Sequence, residues 1–318
     1  MENKKDQPKI KKFLNFMLSP LSSLGKGLLY FFLFVFYLSL FGSFFGYFGY
    51  YLQKKIETIP FKGPIIAKLT FEGAITDNTA KNFLKKLRKV ENYNQTKGIL
   101  LIINSPGGAI GPTQEIYYEL LHIKKEKHIP IVAFLKNIAA SGGYYISLPA
   151  DKIVALPGTI TGSIGVFAEW IYVGDLLKKL GIEIKIIKAG KYKDIFNPFS
   201  KPTDPKLKLI NQTIYDSYYQ FLEAVSKNRN IPLDKVKNLA EGKIYTGRLA
   251  KKVGLVDYIG DYYLAENLIK KLSKTKNAKI IEVTIPKNPL YQILDEGKNY
   301  LKNIYNLFFG KEIFRITY

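Results

Sequence analysis

Hydrophobic and polar positions along this chain switch repeatedly between a two-residue period and a helical one, and the switches mark its elements. Ile65–Phe71 alternates and predicts a strand, with a turn at Glu72-Gly73. Thr76–Val90 places Ala80, Phe83, Leu84 and Leu87 on one face and predicts a helix. The run G-I-L-L-I-I-N at Gly98–Asn104 is apolar throughout, as in a strand buried on both faces. A second helix is expected over Thr113–Lys127, with Ile116, Leu120 and Ile123 inward. The apolar run from Ile131 to Leu135 reads as another buried strand, and Lys152–Ala155 as a short one. Ile171–Leu180 is helical in pattern and stops at Gly181, a C-terminal cap residue. Ile182–Lys188 then predicts a strand, and Asp204 opens a long helix to about Asn228 that faces Leu207, Ile210, Ile214, Tyr218 and Phe221 inward. Beyond Gly260 follow a helix (Tyr262–Leu272), a strand (Lys279–Ile285) and an amphipathic segment with Leu290, Ile293, Leu294, Leu301, Ile304 and Leu307. Strands that alternate with helices predict an α/β fold with a mostly parallel sheet and right-handed crossovers.

One stretch departs from this rhythm. Gly27–Gln53 contains no charged residue and is dense in Leu, Phe and Tyr. It exceeds the ~20 residues that span a bilayer as a helix. No A-x-A-like cleavage site follows it, so the run reads as an uncleaved anchor. Lys4, Lys5, Lys9, Lys11, Lys12 and Lys26 precede the run and Lys54, Lys55 and Lys62 follow it. By the positive-inside rule the short tail stays in the cytoplasm and the large C-terminal part faces outward from the inner membrane. The expected organisation is a basic tail (1–26), an anchor (27–53), a linker (54–64), a catalytic domain (65–260) and a C-terminal extension (261–318). The chain lacks cysteine, which excludes disulfides, thiol nucleophiles and cysteine metal sites. A net charge of +22 raises nucleic-acid binding. The lysines, however, are scattered among Glu and Asp without any nucleic-acid-binding motif, and they fit a solvated face near anionic lipid better. Neither a metal nor another cofactor is implied.

The chemistry gathers at N-I-A-A-S-G-G-Y-Y-I-S, Asn137–Ser147. Ser141 follows a buried strand and precedes a small-residue helix start, so its hydroxyl is exposed at a strand-to-helix turn and at the positive end of a helix dipole. Gly142-Gly143 after it admit a peptide backbone closely. A Ser N-cap in a tight helix packing is the structural alternative. As a nucleophile Ser141 needs a base, and the chain has only His122 and His128, both tied to the preceding helix. A lysine whose pKa is lowered by desolvation is the other option. Lys188, Lys191 and Lys193 share one loop, with Ile195-Phe196 beside Lys193 to exclude water, and the chemistry does not choose among them. Acyl transfer also needs donors to an oxyanion. Gly107-Gly108 can supply backbone N–H groups, with Gly107 against the substrate, and the N–H of Gly142 is a second donor. Ser163 could orient the lysine through its hydroxyl.

Five blocks in order then carry a resemblance. N-S-P-G-G (Asn104–Gly108), A-A-S-G-G-Y-Y-I (Ala139–Ile146), T-G-S-I-G-V (Thr161–Val166), G-K-Y-K-D (Gly190–Asp194) and E-G-K-I-Y-T-G-R-L-A-K-K-V-G-L-V-D (Glu241–Asp257) together resemble the signal peptide peptidase A family. That resemblance implies a membrane-anchored serine protease on the fold shared with the Clp protease proteolytic subunit and the crotonases. It implies Ser141 as nucleophile, Lys193 as general base and Ser163 as the residue that hydrogen-bonds the lysine. It further implies hydrophobic remnant signal peptides as substrates, and a homo-oligomeric ring for a chain with a single catalytic unit. Two neighbouring readings share these glycine loops. One is a membrane protease that cuts a stomatin-type protein; the other is a crotonase-like acyl-CoA enzyme, in which a Ser-Lys pair would be superfluous.

Overall fold

The computed structural model describes residues 7–57 and 63–285, and the chain divides into two units. The first holds α1 (Gln7–Glu57), one continuous helix. Within it Tyr30–Gly49 is long and apolar enough to cross a membrane, and its Phe, Tyr and Leu side chains are exposed along the whole stretch. A stretch that is apolar on every side and exposed along its length is a membrane-span candidate. Of the linker expected over 54–64, residues 54–57 continue α1 and 58–62 lie outside the described residues, as does the amphipathic segment expected from Leu290.

The second unit, Phe61–Ile285, is a layered α/β domain. In chain order it contains β1 (Ile65–Glu72), α2 (Asp77–Glu91), β2 (Thr96–Ser105), α3 (Ile110–Lys127), β3 (Ile131–Ala140), α4 (Gly142–Tyr145), β4 (Lys152–Ala155), β5 (Ile160–Gly162), α5 (Gly174–Lys179), α6 (Asp204–Arg229), α7 (Leu233–Leu239), β6 (Ile244–Thr246), α8 (Gly247–Lys252), β7 (Tyr258–Ile259), α9 (Tyr262–Leu272) and β8 (Lys279–Glu282). The sheet runs β6-β5-β3-β2-β1-β8, with β4 and β7 branching from β3. Every pairing is parallel except β5 with β6. The predicted α/β class with a mostly parallel sheet is what forms.

The unbroken apolar run of β2 follows from its position. Ile99, Leu101 and Ile103 enter the larger core under α2, α3 and α6, while Leu100 and Ile102 enter a second core with Ala265 and Ile269 of α9. A central strand covered on both faces has no polar side to show. Each such buried aliphatic side chain contributes roughly 1.5–3 kcal/mol. Residues after Gly260 join this sheet: β8 adds to the outer edge of β1 in parallel, and α9 covers the second core.

The long strand β3 has the topology that matters for function. Its first half, Val132–Leu135, pairs with β4, and its last residues, Ile138–Ala140, pair with β5. On its other side Ala139 lies opposite Ser105 of β2. The C-terminal end of β3 is therefore held between two strands just before Ser141. Ligands of open α/β sheets sit beyond the carboxyl ends of the strands.

Two predicted elements differ from what forms. Residues 182–188 are not a strand; they form no regular structure, and Ile182, Ile184, Ile186 and Ile187 are exposed. Their alternation joins no sheet edge among the described residues. The expected inward face of α6 is also shifted at its start: Leu207 is exposed, and Lys206 takes the buried position beside Ile210. The reason is a buried acidic partner, Asp194.

Candidate active site

Ser141 has φ 52° and ψ −123°, outside the regions that a non-glycine residue ordinarily adopts. Such strain persists only where the surroundings over-determine the conformation. Here they do. The Ser141 N–H donates to the Gly162 carbonyl of β5 at 2.8 Å, and the Ser141 carbonyl accepts from the Tyr145 N–H at 2.9 Å. The helix behind it, α4, is a single turn of four residues. Its dipole is therefore slight, so the sharpness of the turn, more than a macrodipole, presents the hydroxyl. The Ser141 side chain makes no capping hydrogen bond, which sets aside the N-cap alternative.

The glycine loop after β2 is pressed against this turn. The Ile75 N–H donates to the Gly107 carbonyl at 2.8 Å, and the Ala109 N–H donates to the Ile75 carbonyl at 2.9 Å. This zipper leaves the Gly108 N–H without an acceptor among the described residues, and the Gly142 N–H is likewise unengaged. A Cβ on Gly107 (φ 104°) would lie 2.7 Å from the Gly142 nitrogen and 2.8 Å from the Ser141 Cβ. Only glycine fits there. A Cβ on Gly142 would in turn lie 2.7 Å from Thr113 Oγ1. Two free N–H groups beside a strained serine are the requirements of acyl transfer.

Around Ser141 open two adjoining cavities. One is lined by Gly108, Gly142, Ile110, Thr113, Tyr145 and Phe221, and the other by Gly107, Gly108, Ser141, Ser163, Tyr215 and Tyr218. Val166 and Phe167 border both. Ser163, the predicted lysine-orienting residue, thus shares a cavity with Ser141; its φ of 50° is fixed by an N–H donated to the Lys243 carbonyl at 2.8 Å. The apolar lining from α3, α4 and α6 was not singled out from sequence. Its available signals were the paired Tyr144-Tyr145 after the glycines and the aromatic residues of α6. Burial pushes the Tyr145 hydroxyl up to about 12, so it is a neutral donor in the cavity wall at any ordinary pH.

The candidate bases separate clearly. His122 is exposed beside Glu91 at 3.5 Å, and His128 caps the C-terminus of α3 with φ 50°; neither lines a cavity at Ser141. Lys188 donates to Asp194 and to the Lys191 carbonyl, and Lys191 lies 5.3 Å over the Tyr192 ring. The Lys193 side chain is exposed and has no partner among the described residues. It does not line either cavity within its own chain. The fold therefore brings together Ser141, Ser163, Gly107, Gly108 and Gly142, and leaves Lys193 on an outlying loop.

Comparison with known proteins finds matches among proteases. Residues 123–279 match the model of peptidase family S49, and residues 66–160 match that of Clp protease. "Putative signal peptide peptidase SppA" of Enterococcus faecium is 41% identical, over 68% of this chain and 66% of that protein's length. A Synechocystis protein named as a protease is 39% identical over 75% of this chain and 86% of its own length. "Protease 4" of Haemophilus influenzae is 35% identical, but the match covers only 35% of that longer protein.

Proposed function

This chain belongs to peptidase family S49, and on that premise we propose that it is a membrane-anchored serine endopeptidase acting through a Ser141–Lys193 dyad on apolar peptides. The observation that carries the reading is the strained Ser141 turn beside the two unengaged N–H groups of Gly108 and Gly142. Ser141 Oγ attacks the scissile carbonyl carbon while its proton passes to the neutral Lys193 amine. The carbonyl oxygen becomes an oxyanion held by the Gly108 and Gly142 N–H groups. On collapse the C–N bond breaks, and the Lys193 ammonium returns the proton to the departing amine. Water then adds to the acyl ester, giving a proton to Lys193, and the C–Oγ bond breaks as Ser141 takes that proton back. Ser163 orients the lysine amine at the cavity wall.

We place Lys193 in the site of a neighbouring copy. Within one chain the cavities at Ser141 are lined by no lysine or histidine among the described residues, and the carboxylate that does line one, Glu241, is paired with Lys243 at 2.8 Å. The arm that carries Lys193 exposes large apolar side chains: Phe167 is 84% exposed, Ile171 72% and Ile187 99%. Exposed patches of this kind mark interaction surfaces. A second copy that covers this arm would bring the lysine to its own Ser141, and repetition of the same head-to-tail contact closes a ring. The same interface would cover Lys193, which is exposed in the single chain, and shield it from water.

The substrate class follows from the walls and the anchor. Ile110, Tyr145, Val166, Phe167 and Phe221 line an apolar cleft, and the Tyr30–Gly49 span would hold the domain at a bilayer. Signal-peptide remnants are apolar peptides that reside in membranes, and one relative's name gives that substrate. The basic N-terminal tail would lie in the cytoplasm and the catalytic domain outside.

The test is cleavage of an apolar signal-sequence peptide by the full chain in detergent. Wild type, Ser141→Ala and Lys193→Ala should all assemble, and both variants should lose roughly 10³-fold or more in kcat. Wild-type turnover in either variant would remove that residue from the mechanism.

A further inference from the structure

Asp194 follows the proposed base directly, and its surroundings are unlike those of any other residue in that loop. Its carboxylate is 7% exposed and accepts from three side chains: Lys188, Ser200 Oγ at 2.8 Å and Lys206 Nζ at 2.9 Å. Lys206 Nζ also donates to Ser200 Oγ at 2.9 Å, which closes the triangle. The pair of ammonium groups, Lys188 first and Lys206 next, holds the Asp194 carboxyl far below the usual carboxylate range.

Lys206 makes the arrangement informative. It lies in the first turn of α6 and its side chain is only 9% exposed. Burial disfavours a lysine, and a cation in a first turn opposes the helix dipole. The adjacent Leu207 is exposed and would fill a buried apolar position without either cost. Chain geometry that prefers the lysine inside does so through Asp194.

We propose that Asp194 is a positioning residue that selects and places Lys193 as the base, resting on the dyad reading given above. Its action has two parts. Lys188 reaches back from Asp194 to the Lys191 carbonyl at 3.1 Å, and the Lys193 N–H donates to the Gly190 carbonyl at 3.2 Å. The Asp194 carbonyl accepts from the Asn197 N–H at 3.1 Å. The backbone on both sides of Lys193 is thereby pinned to the start of α6, and its side chain is the one left to project. The same carboxylate holds the Lys188 and Lys206 amines, so that neither is left to project as Lys193 does. Of the three lysines between 188 and 193, Lys188 is bound to Asp194, Lys191 lies on Tyr192, and Lys193 is free.

The experiment compares full-length wild type, Asp194→Asn, Lys206→Gln and Lys193→Ala on the apolar peptide, with active sites counted by an acylating inhibitor of Ser141. Asp194→Asn should lower kcat per active site about 10–100-fold, as misplacement of a catalytic group does, with KM nearly unchanged. A defect in folding alone would lower the count of active sites and leave kcat per active site in place. An assembled Asp194→Asn enzyme with wild-type kcat per active site overturns the proposal. Where that variant does not assemble, Lys206→Gln carries the test: a lower kcat at unchanged KM supports the clamp, and an unchanged kcat overturns it. Full activity in Lys193→Ala would instead remove the dyad itself, whatever the Asp194 result.

Discussion

At the scale of single residues, the site depends on what is absent as much as on what is present. Gly107 has no side chain because the Ser141 Cβ and the Gly142 nitrogen occupy the place that one would take. Gly107→Ala should therefore push the two loops apart and misdirect the Gly108 and Gly142 N–H groups. The expected loss is about 10²–10³-fold in kcat, the value of one oxyanion donor. Steady-state kinetics on the apolar peptide checks this, and a kcat within a few-fold of wild type would contradict the oxyanion assignment. These residues were legible from sequence because small residues on both sides of a serine, with a second glycine pair at a neighbouring strand end, leave few structural explanations. The strain at Ser141 was not legible. Its φ of 52° arises from the hydrogen bond that β5 makes to it, a long-range contact that no local pattern records.

At the scale of elements, one buried ion pair ties the distal half of the domain together. Arg229, at the end of α6, donates from Nη1 and Nη2 to Asp257 at 3.0 and 2.9 Å, and its side chain is 7% exposed. Asp257 also accepts from the Ile153 N–H of β4 at 2.7 Å, and Arg229 Nε donates to the Gly254 carbonyl at 3.1 Å. Helix α6, strand β4 and the approach to β7 thus share one junction. Asp257→Ala leaves a buried guanidinium without its counterion and should cost roughly 3–5 kcal/mol. Urea unfolding should show the midpoint fall at constant m. A loss under about 1 kcal/mol would mean that the pair behaves like a surface salt bridge.

Elements also show where sequence reading stops. The buried strands β2 and β3 and the faces of α2 and α3 follow from periodicity, because burial on the sheet imposes it. Residues 182–188 carry the same two-residue signal and form no strand, because a strand needs a neighbour and the described residues offer none there. Ile182, Ile184 and Ile186 keep the alternation while remaining exposed, the pattern expected of a surface made to meet another chain. The inversion of Lys206 and Leu207 has a similar origin. A hydrophobic pattern ranks residues by their own transfer energy and cannot see that Asp194 awaits the lysine.

At the scale of the whole molecule, Ser141 and Lys193 occupy one chain but not one cavity. Ser141, Ser163 and the glycine loops converge, whereas Lys193 projects from a loop that Asp194 ties to α6 and that carries exposed apolar side chains such as Ile187. A heterologous contact that joins each arm to the next subunit's cavity reconciles the two facts and needs only one kind of interface. The order of the five sequence blocks already named both partners. It could not say whether the two act within one subunit or across a boundary, because order along a chain carries no information on which copy supplies which residue.

The measurement that tests this most directly is subunit mixing of two inactive variants. Full-length Ser141→Ala and Lys193→Ala would be dissociated, combined in equal amounts, reassembled and assayed on the apolar peptide. With the base supplied by a neighbour, a Lys193→Ala subunit beside a Ser141→Ala subunit regains a complete site. About one quarter of wild-type activity should then return by random pairing around a closed assembly. Activity that stays at the level of the separate variants, in assemblies shown to contain both chains, would contradict it and place Ser141 and Lys193 of each chain in the same site.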